Sequence, residues 1–145
     1  MEPLPHHYNV TASATTDSNV ALKGDNLPEI ISAPPAEFGG PGDQWSPESL
    51  LVAAVADCFI LSFRAIARAS KLDWLDLHCE VSGTLERVER TTRFTAISVD
   101  AKLTISADTN ADKAEKLLHK AEDSCLITNS LIADSTLSTH ISVVA

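Results

Sequence analysis

Three cysteines, Cys58, Cys79 and Cys125, are the residues through which this sequence can do covalent chemistry. A thiolate attacks peroxides and disulfides or binds a soft metal, and a buried thiol does neither. Metal binding fails on spacing. There is no C-x-x-C and no H-x-x-x-H, and His78 and Cys79 fall on opposite faces of one strand-like run, so no metal is expected. Gly39-Gly40-Pro41-Gly42 lacks the Lys-Ser/Thr of a phosphate cradle and reads as a turn. A Gly-x-Ser-x-Gly elbow is absent, and His6, His7, His119 and His140 have no partner identifiable by spacing. Read singly, Cys58 is a small apolar residue of a helix and Cys79 one of a strand. Cys125 follows Glu122-Asp123-Ser124 and precedes a short apolar run, where a helix N-terminus would lower its pKa.

The elements that must position these thiols follow from periodicity. Ser46-Pro47-Glu48 combines an N-cap serine, a proline at the first helical position and an acidic first turn, predicting a helix to about Ser70. From Leu50 to Ala67 only Asp57, Ser62 and Arg64 interrupt apolar residues, so this helix must be buried. Two charges in mid-run argue against a bilayer span. Runs at His6–Thr15 and Asn19–Lys23 predict an opening hairpin, and the Pro- and Gly-rich stretch 26–43 a loop with an edge strand around Ile30–Ser32. Leu75–Val88 and Phe94–Ile105, joined by Glu89–Arg93, read as a β-ribbon. Thr109-Asn110-Ala111-Asp112 resembles a capping box before a helix with Ala114, Leu117, Leu118 and Ala121 on one face. Residues 125–131 suit a short helical turn, and 135–144 a last strand.

The 145 residues carry 11 Lys+Arg against 20 Asp+Glu, a formal charge of −9, which repels phosphate backbones and anionic lipid and excludes nucleic-acid or membrane-surface roles. At this length, with 44% hydrophobic residues, a single domain over residues 1–145 is expected. The N-terminus has neither the basic nor the apolar region of a signal peptide, and three cysteines do not make a disulfide scaffold, so a reducing cytoplasmic location is expected.

Phe38-Gly39-Gly40-Pro41-Gly42, Ser46-Pro47-Glu48-Ser49-Leu50 and Ala53-Ala54-Val55-Ala56-Asp57-Cys58-Phe59 resemble the glycine loop, Pro-Glu helix start and first cysteine motif of the OsmC/Ohr thiol peroxidases. The stretch from Ala121 to Leu131 is similar to the family's second motif, Ala-Glu-x-x-Cys-x-x-Ser/Thr-x-x-Leu. The order of elements agrees along nearly the whole chain. The resemblance implies an α+β fold with antiparallel sheets around a long central helix, in an intertwined homodimer. It implies reduction of organic hydroperoxides without a cofactor: Cys58 attacks the O–O bond to give a sulfenic acid, and Cys125 condenses with it to a disulfide. A dithiol reductant, lipoyl or small-thiol, would restore the pair. Glu48 matches the glutamate that holds an activating arginine beside the attacking cysteine.

The arginine itself is missing, for no Arg precedes Arg64 and Lys23 is the only upstream cation. Arg93, at the start of the second ribbon strand, is the candidate replacement, with Lys23 as the substitute. Arg64 is about 240° round the helix from Cys58. Apolar neighbours of Cys58 (Leu51, Ala54, Val55, Leu61) favour an alkyl or lipid-like hydroperoxide. The alternative is a dimeric apolar-ligand or reactive-species binding protein that lost turnover with its arginine. A helix of this length would span the whole fold, and Glu48 lies about 15 Å along it from Cys58, so a partner subunit is expected to cover the helix and to supply Glu48.

Overall fold

In the computed structural model, which describes residues 1–145, the chain divides into two units, Met1–Leu51 and Val52–Ala145. In the first, β1 (Thr11–Ser13), β2 (Val20–Lys23) and β3 (Ile30–Ser32) form an antiparallel sheet in that order. The hairpin is shorter than the alternation suggests. β2 offers only four residues to pair, and a turn closed by Leu27 N–H donating to the Gly24 carbonyl follows it at once. The edge strand falls where expected. The glycine-rich stretch shapes a turn: Gly39 has φ +86°, and a Cβ on Gly40 would sit 1.7 Å from the Pro34 carbonyl oxygen.

Helix α1 (Pro47–Ala69) starts with a reciprocal cap. Ser49 N–H donates to Ser46 Oγ at 3.1 Å while Ser46 N–H donates to Ser49 Oγ at 2.8 Å, so two otherwise unpaired amides are satisfied. It stops in a Schellman turn. Leu72 N–H reaches the Ala67 carbonyl, Lys71 N–H reaches Arg68, and Lys71 adopts φ +55°.

In the second unit, β4 (Asp76–Val88) and β5 (Thr91–Ser106) are the expected ribbon. Its turn is only Glu89-Arg90, both at positive φ, as a two-residue hairpin requires. Arg93 therefore lies inside β5, opposite Glu86. Helix α2 (Ala111–Asp123) is capped by Asn110, whose side chain accepts from Lys113 N–H; Thr109 instead donates to the Asp73 carbonyl. β6 (Asp134–Val144) pairs with β5 in parallel, where an all-antiparallel sheet was expected. Alternation reports which residues face inward, not strand direction; the α2 crossover carries the chain back to the end where β5 began.

Ile97, Val99, Ala101, Leu103 and Ile105 alternate on the inner face of β5 and form one cluster with the α2 stripe, Leu72, and Val55, Phe59, Phe63 and Ala67 of α1. Phe63 meets Trp74 edge to face at 5.5 Å. The expectation of a fully buried α1 is corrected within one chain: only that every-fourth-residue stripe is buried, and Leu61 is 49% exposed. A single sheet and one short helix have one face to offer it.

Candidate active site

Cys58 lies one residue before Phe59, on the flank of the buried stripe of α1, and Ser62 is one turn on along the same flank. The two side chains meet, with Sγ 3.8 Å from Ser62 Oγ. Opposite them α2 ends at Asp123, and the chain turns through Cys125 into a single 3₁₀ turn at Thr128–Ser130. Cys125 is fully buried.

This turn is tied down by the polar residues of the second cysteine motif. Asn129 N–H and Thr128 Oγ1 donate to the Cys125 carbonyl at 3.0 and 3.2 Å. Ser130 Oγ donates to the Leu126 carbonyl at 2.7 Å, and Asn129 Nδ2 to the Asp123 carbonyl at 3.2 Å. The segment lies beside Cys58 and shifts its acidity. Both cysteines are free thiols.

The two thiols are driven apart in acidity. Burial pushes Cys58 up, but hydrogen bonds from the Ile127 amide, Cys125, Ser62 and the Leu126 amide outweigh it, and the net shift is below the ordinary value. Burial raises Cys125, Thr128 offsets this in part, and the neighbouring Cys58 raises it further. The expectation that the turn after Cys125 would lower that residue's own pKa is therefore corrected: burial outweighs what Thr128 contributes. Cys79 is pushed up to about 11 by burial, then by Glu122, Asp100 and Cys125.

None of the charged residues singled out by sequence is among the groups that shift Cys58. Arg93 is half-buried in β5 and forms no ion pair; the Glu86 carboxylate across from it accepts from Thr95 Oγ1 at 2.9 Å. Lys23 is 3.7 Å from Glu29. Glu48 Oε1 is buried without a hydrogen-bond partner, ten residues before Cys58 on the unbroken α1. Sequence reading missed Ser62, Leu126 and Ile127. The i, i+4 spacing of Cys58 and Ser62 in an otherwise apolar run was a signal; backbone amides leave none.

The family model described as OsmC-like protein matches residues 40–140, which include the Pro-Glu helix start and both cysteine motifs. The chain belongs to the OsmC-like family. This OsmC-like chain is 29% identical over 143 residues to YmaD, an uncharacterised protein of Bacillus subtilis, with 95% of each chain covered. Among solved structures, an OsmC-like protein of unknown function from Vibrio cholerae superposes with a TM-score of 0.85 at 18% identity, covering 93% of this chain and 99% of that one. An organic hydroperoxide resistance protein OsmC from Legionella pneumophila gives 0.73 at 25% identity, covering 95% and 99%. The organic hydroperoxide resistance protein OhrB of Bacillus subtilis gives 0.67 at 18%, covering 94% and 98%. The α+β OsmC-like fold expected from sequence is thus the fold of the chain.

Proposed function

We propose that this OsmC-like protein is a thiol-dependent reductase of organic hydroperoxides. The observation that carries the reading is the Cys58–Cys125 pair: two free thiols that shift one another's acidity, Cys58 lowered from its ordinary value and Cys125 raised. Cys58 thiolate attacks the O–O bond of ROOH, forming S–OH as RO⁻ leaves and takes a proton from solvent. Cys125 S–H then condenses with the sulfenic acid, forming the disulfide and releasing water. A dithiol, lipoyl or small-thiol, returns two electrons and two protons. The apolar flank of α1 favours an alkyl or lipid-like chain on the substrate, and the names of two structural neighbours, in Legionella and Bacillus, support the same substrate class.

The working unit in this reading is a homodimer. The exposed apolar side of α1 needs a protein partner, because Asp57 and Arg64 on it disfavour lipid. In this reading the second copy also supplies its Glu48, whose Oε1 lacks a partner within one chain, to the site of Cys58.

Stopped-flow mixing of reduced protein with cumene hydroperoxide, followed by peptide mapping, tests the reading. The expected result is one peroxide consumed per Cys58–Cys125 bridge with Cys79 free, in a protein that sediments as a dimer at micromolar concentration. Slow peroxide consumption with a fully reduced pair would replace the enzyme by the binding protein, and a monomer would remove the partner's Glu48 from the site.

A further inference from the structure

Glu122 stands in the second cysteine motif, three residues before Cys125, and the proposed reaction leaves it without a task. Its carboxylate accepts from Ser135 Oγ, 13 positions further along the chain, while its other oxygen, Oε2, is buried without a partner. Glu122 lies in the last turn of α2 and Ser135 near the start of β6, so this hydrogen bond closes the segment that carries Cys125 into a loop. We propose that Glu122 is a positioning residue for Cys125: its bond to Ser135 holds the neck of the loop and thereby sets where the resolving thiol stands. This rests on the reading of Cys125 as the resolving thiol and adds what aims it.

The loop depends on its neck because its interior is open. A compact surface loop of this size is ordinarily packed by its own side chains. Here Glu122 and Ser135 at the neck, with Thr128, Asn129 and Leu131 further in, line a hollow of about 390 Å³. Hydrogen bonds hold the shape instead. Thr128 and Asn129 fasten the Cys125 carbonyl, and Asn129 Nδ2 fastens the Asp123 carbonyl, which ties the loop to the end of α2. Glu122–Ser135 is the bond that joins this side to β6. Cys125 N–H donates to the Glu122 carbonyl at 3.3 Å, so the backbone of the thiol rides on the residue that makes the latch. Ile127 and Leu131 pack on the core and press the loop inward; the width of its neck is left to the latch.

A second carboxylate repeats the contact two helical turns earlier. Glu115 accepts from Thr139 Oγ1 through both oxygens, at 2.6 and 2.8 Å. Residues seven apart share a face of α2 and residues four apart share a face of β6, so the two rungs fix the helix along the strand. The Glu115 rung holds the body of α2, and the Glu122 rung holds the turn from which Cys125 departs. Their loss has different consequences for the reaction. In the condensation Cys125 Sγ attacks the Cys58 sulfenic acid; the S–S bond forms as S–O breaks, and the thiol proton leaves with the hydroxide as water. That bond requires Cα atoms about 4.4–6.8 Å apart, and a displacement of about 1 Å costs up to about a hundredfold in rate. Attack of Cys58 on peroxide has no such dependence on the loop.

Single turnovers of the full chain with one equivalent of cumene hydroperoxide separate the two steps. Loss of peroxide reads the attack by Cys58; timed quenching with a 1,3-dione, which traps sulfenic acid, and mapping of the Cys58–Cys125 bridge read the condensation. Glu122→Ala is expected to slow bridging by at least about tenfold and to leave peroxide loss within about twofold of the parent, so that sulfenic acid accumulates. Ser135→Ala is expected to reproduce this. Glu122→Gln keeps an acceptor oxygen and Ser135→Thr keeps the hydroxyl, and each is expected to recover most of the bridging rate. Glu115→Ala, the control, is expected to unfold at lower urea while bridging at the parent rate. Should Glu122→Ala fail to fold, the Ser135 pair decides. Bridging at the parent rate in Glu122→Ala and Ser135→Ala, a parallel fall in both steps, or an equal slowing in Glu115→Ala would overturn the assignment. Diamide, which bridges thiol pairs without a sulfenic acid, keeps the two readings apart. If the parent consumes no hydroperoxide, slower diamide bridging in Glu122→Ala would keep the latch and remove the peroxidase reading, and equal diamide rates would remove the latch.

Discussion

At pH 8 an alkylating agent added below stoichiometry will label Cys58 at least about tenfold faster than Cys79. The magnitude comes from the two acidities. With its pKa pushed up to about 11, Cys79 is ionised in roughly one molecule per thousand at this pH, whereas Cys58, held below its ordinary 9.0, is ionised in at least roughly one in ten. The thiolate ratio is therefore about a hundred. Part of it is returned, because the more basic thiolate is the better nucleophile: a Brønsted coefficient of about 0.4–0.5 over two units gives back roughly six- to tenfold. Burial does not decide between them, since both are half-buried, and fully buried Cys125 will label slowest. The assay is peptide mapping by mass spectrometry after timed exposure to iodoacetamide at pH 8 and pH 10. Between those values Cys79 labelling should rise by about a hundredfold and Cys58 labelling by no more than about tenfold. Equal label on the two cysteines at pH 8, or a Cys79 rate that does not change with pH, would refute the assignment of acidities.

Three further outcomes are expected. Thr128→Val removes the hydroxyl that holds the buried Cys125 carbonyl and should cost about 1–3 kcal/mol in urea unfolding, while slowing Cys58–Cys125 bridging, because the segment is less well fixed. Gly40→Ala would bring a Cβ against the Pro34 carbonyl and should cost about 2 kcal/mol or more by the same measurement. Cys79 binds its proton more tightly folded than unfolded, so its contribution to stability falls as pH rises past the ordinary value of 9.0 and stops falling above about 11. Discounted for its half-exposed setting, the loss is about 1 kcal/mol, and Cys79→Ala should flatten the alkaline limb of stability against pH.

Local sequence was enough for the elements because each is written in neighbouring residues. Ser46-Pro47 opens α1, a charged stretch beginning at Glu89 marks the ribbon turn though not its two-residue length, and a one-face stripe marks α2. The cysteines of the candidate site were legible for the same reason, each lying in a compact motif. Thr128 was part of that motif, and its task, holding the Cys125 carbonyl, shows why the spacing is three.

Tertiary structure decided what depends on residues distant in sequence. The parallel pairing of β6 with β5 depends on the path of the α2 crossover, and inward–outward alternation is the same in either direction. The mutual influence of Cys58 and Cys125, 67 positions apart, depends on packing α1 and the end of α2 against one sheet. The acidity of each thiol is decided there too. Burial and hydrogen bonding at Cys58 carry no signature in neighbouring residues, so the sequence by itself pointed to a missing arginine, while the direction of the Cys58 shift depends on the segment that the fold packs beside it.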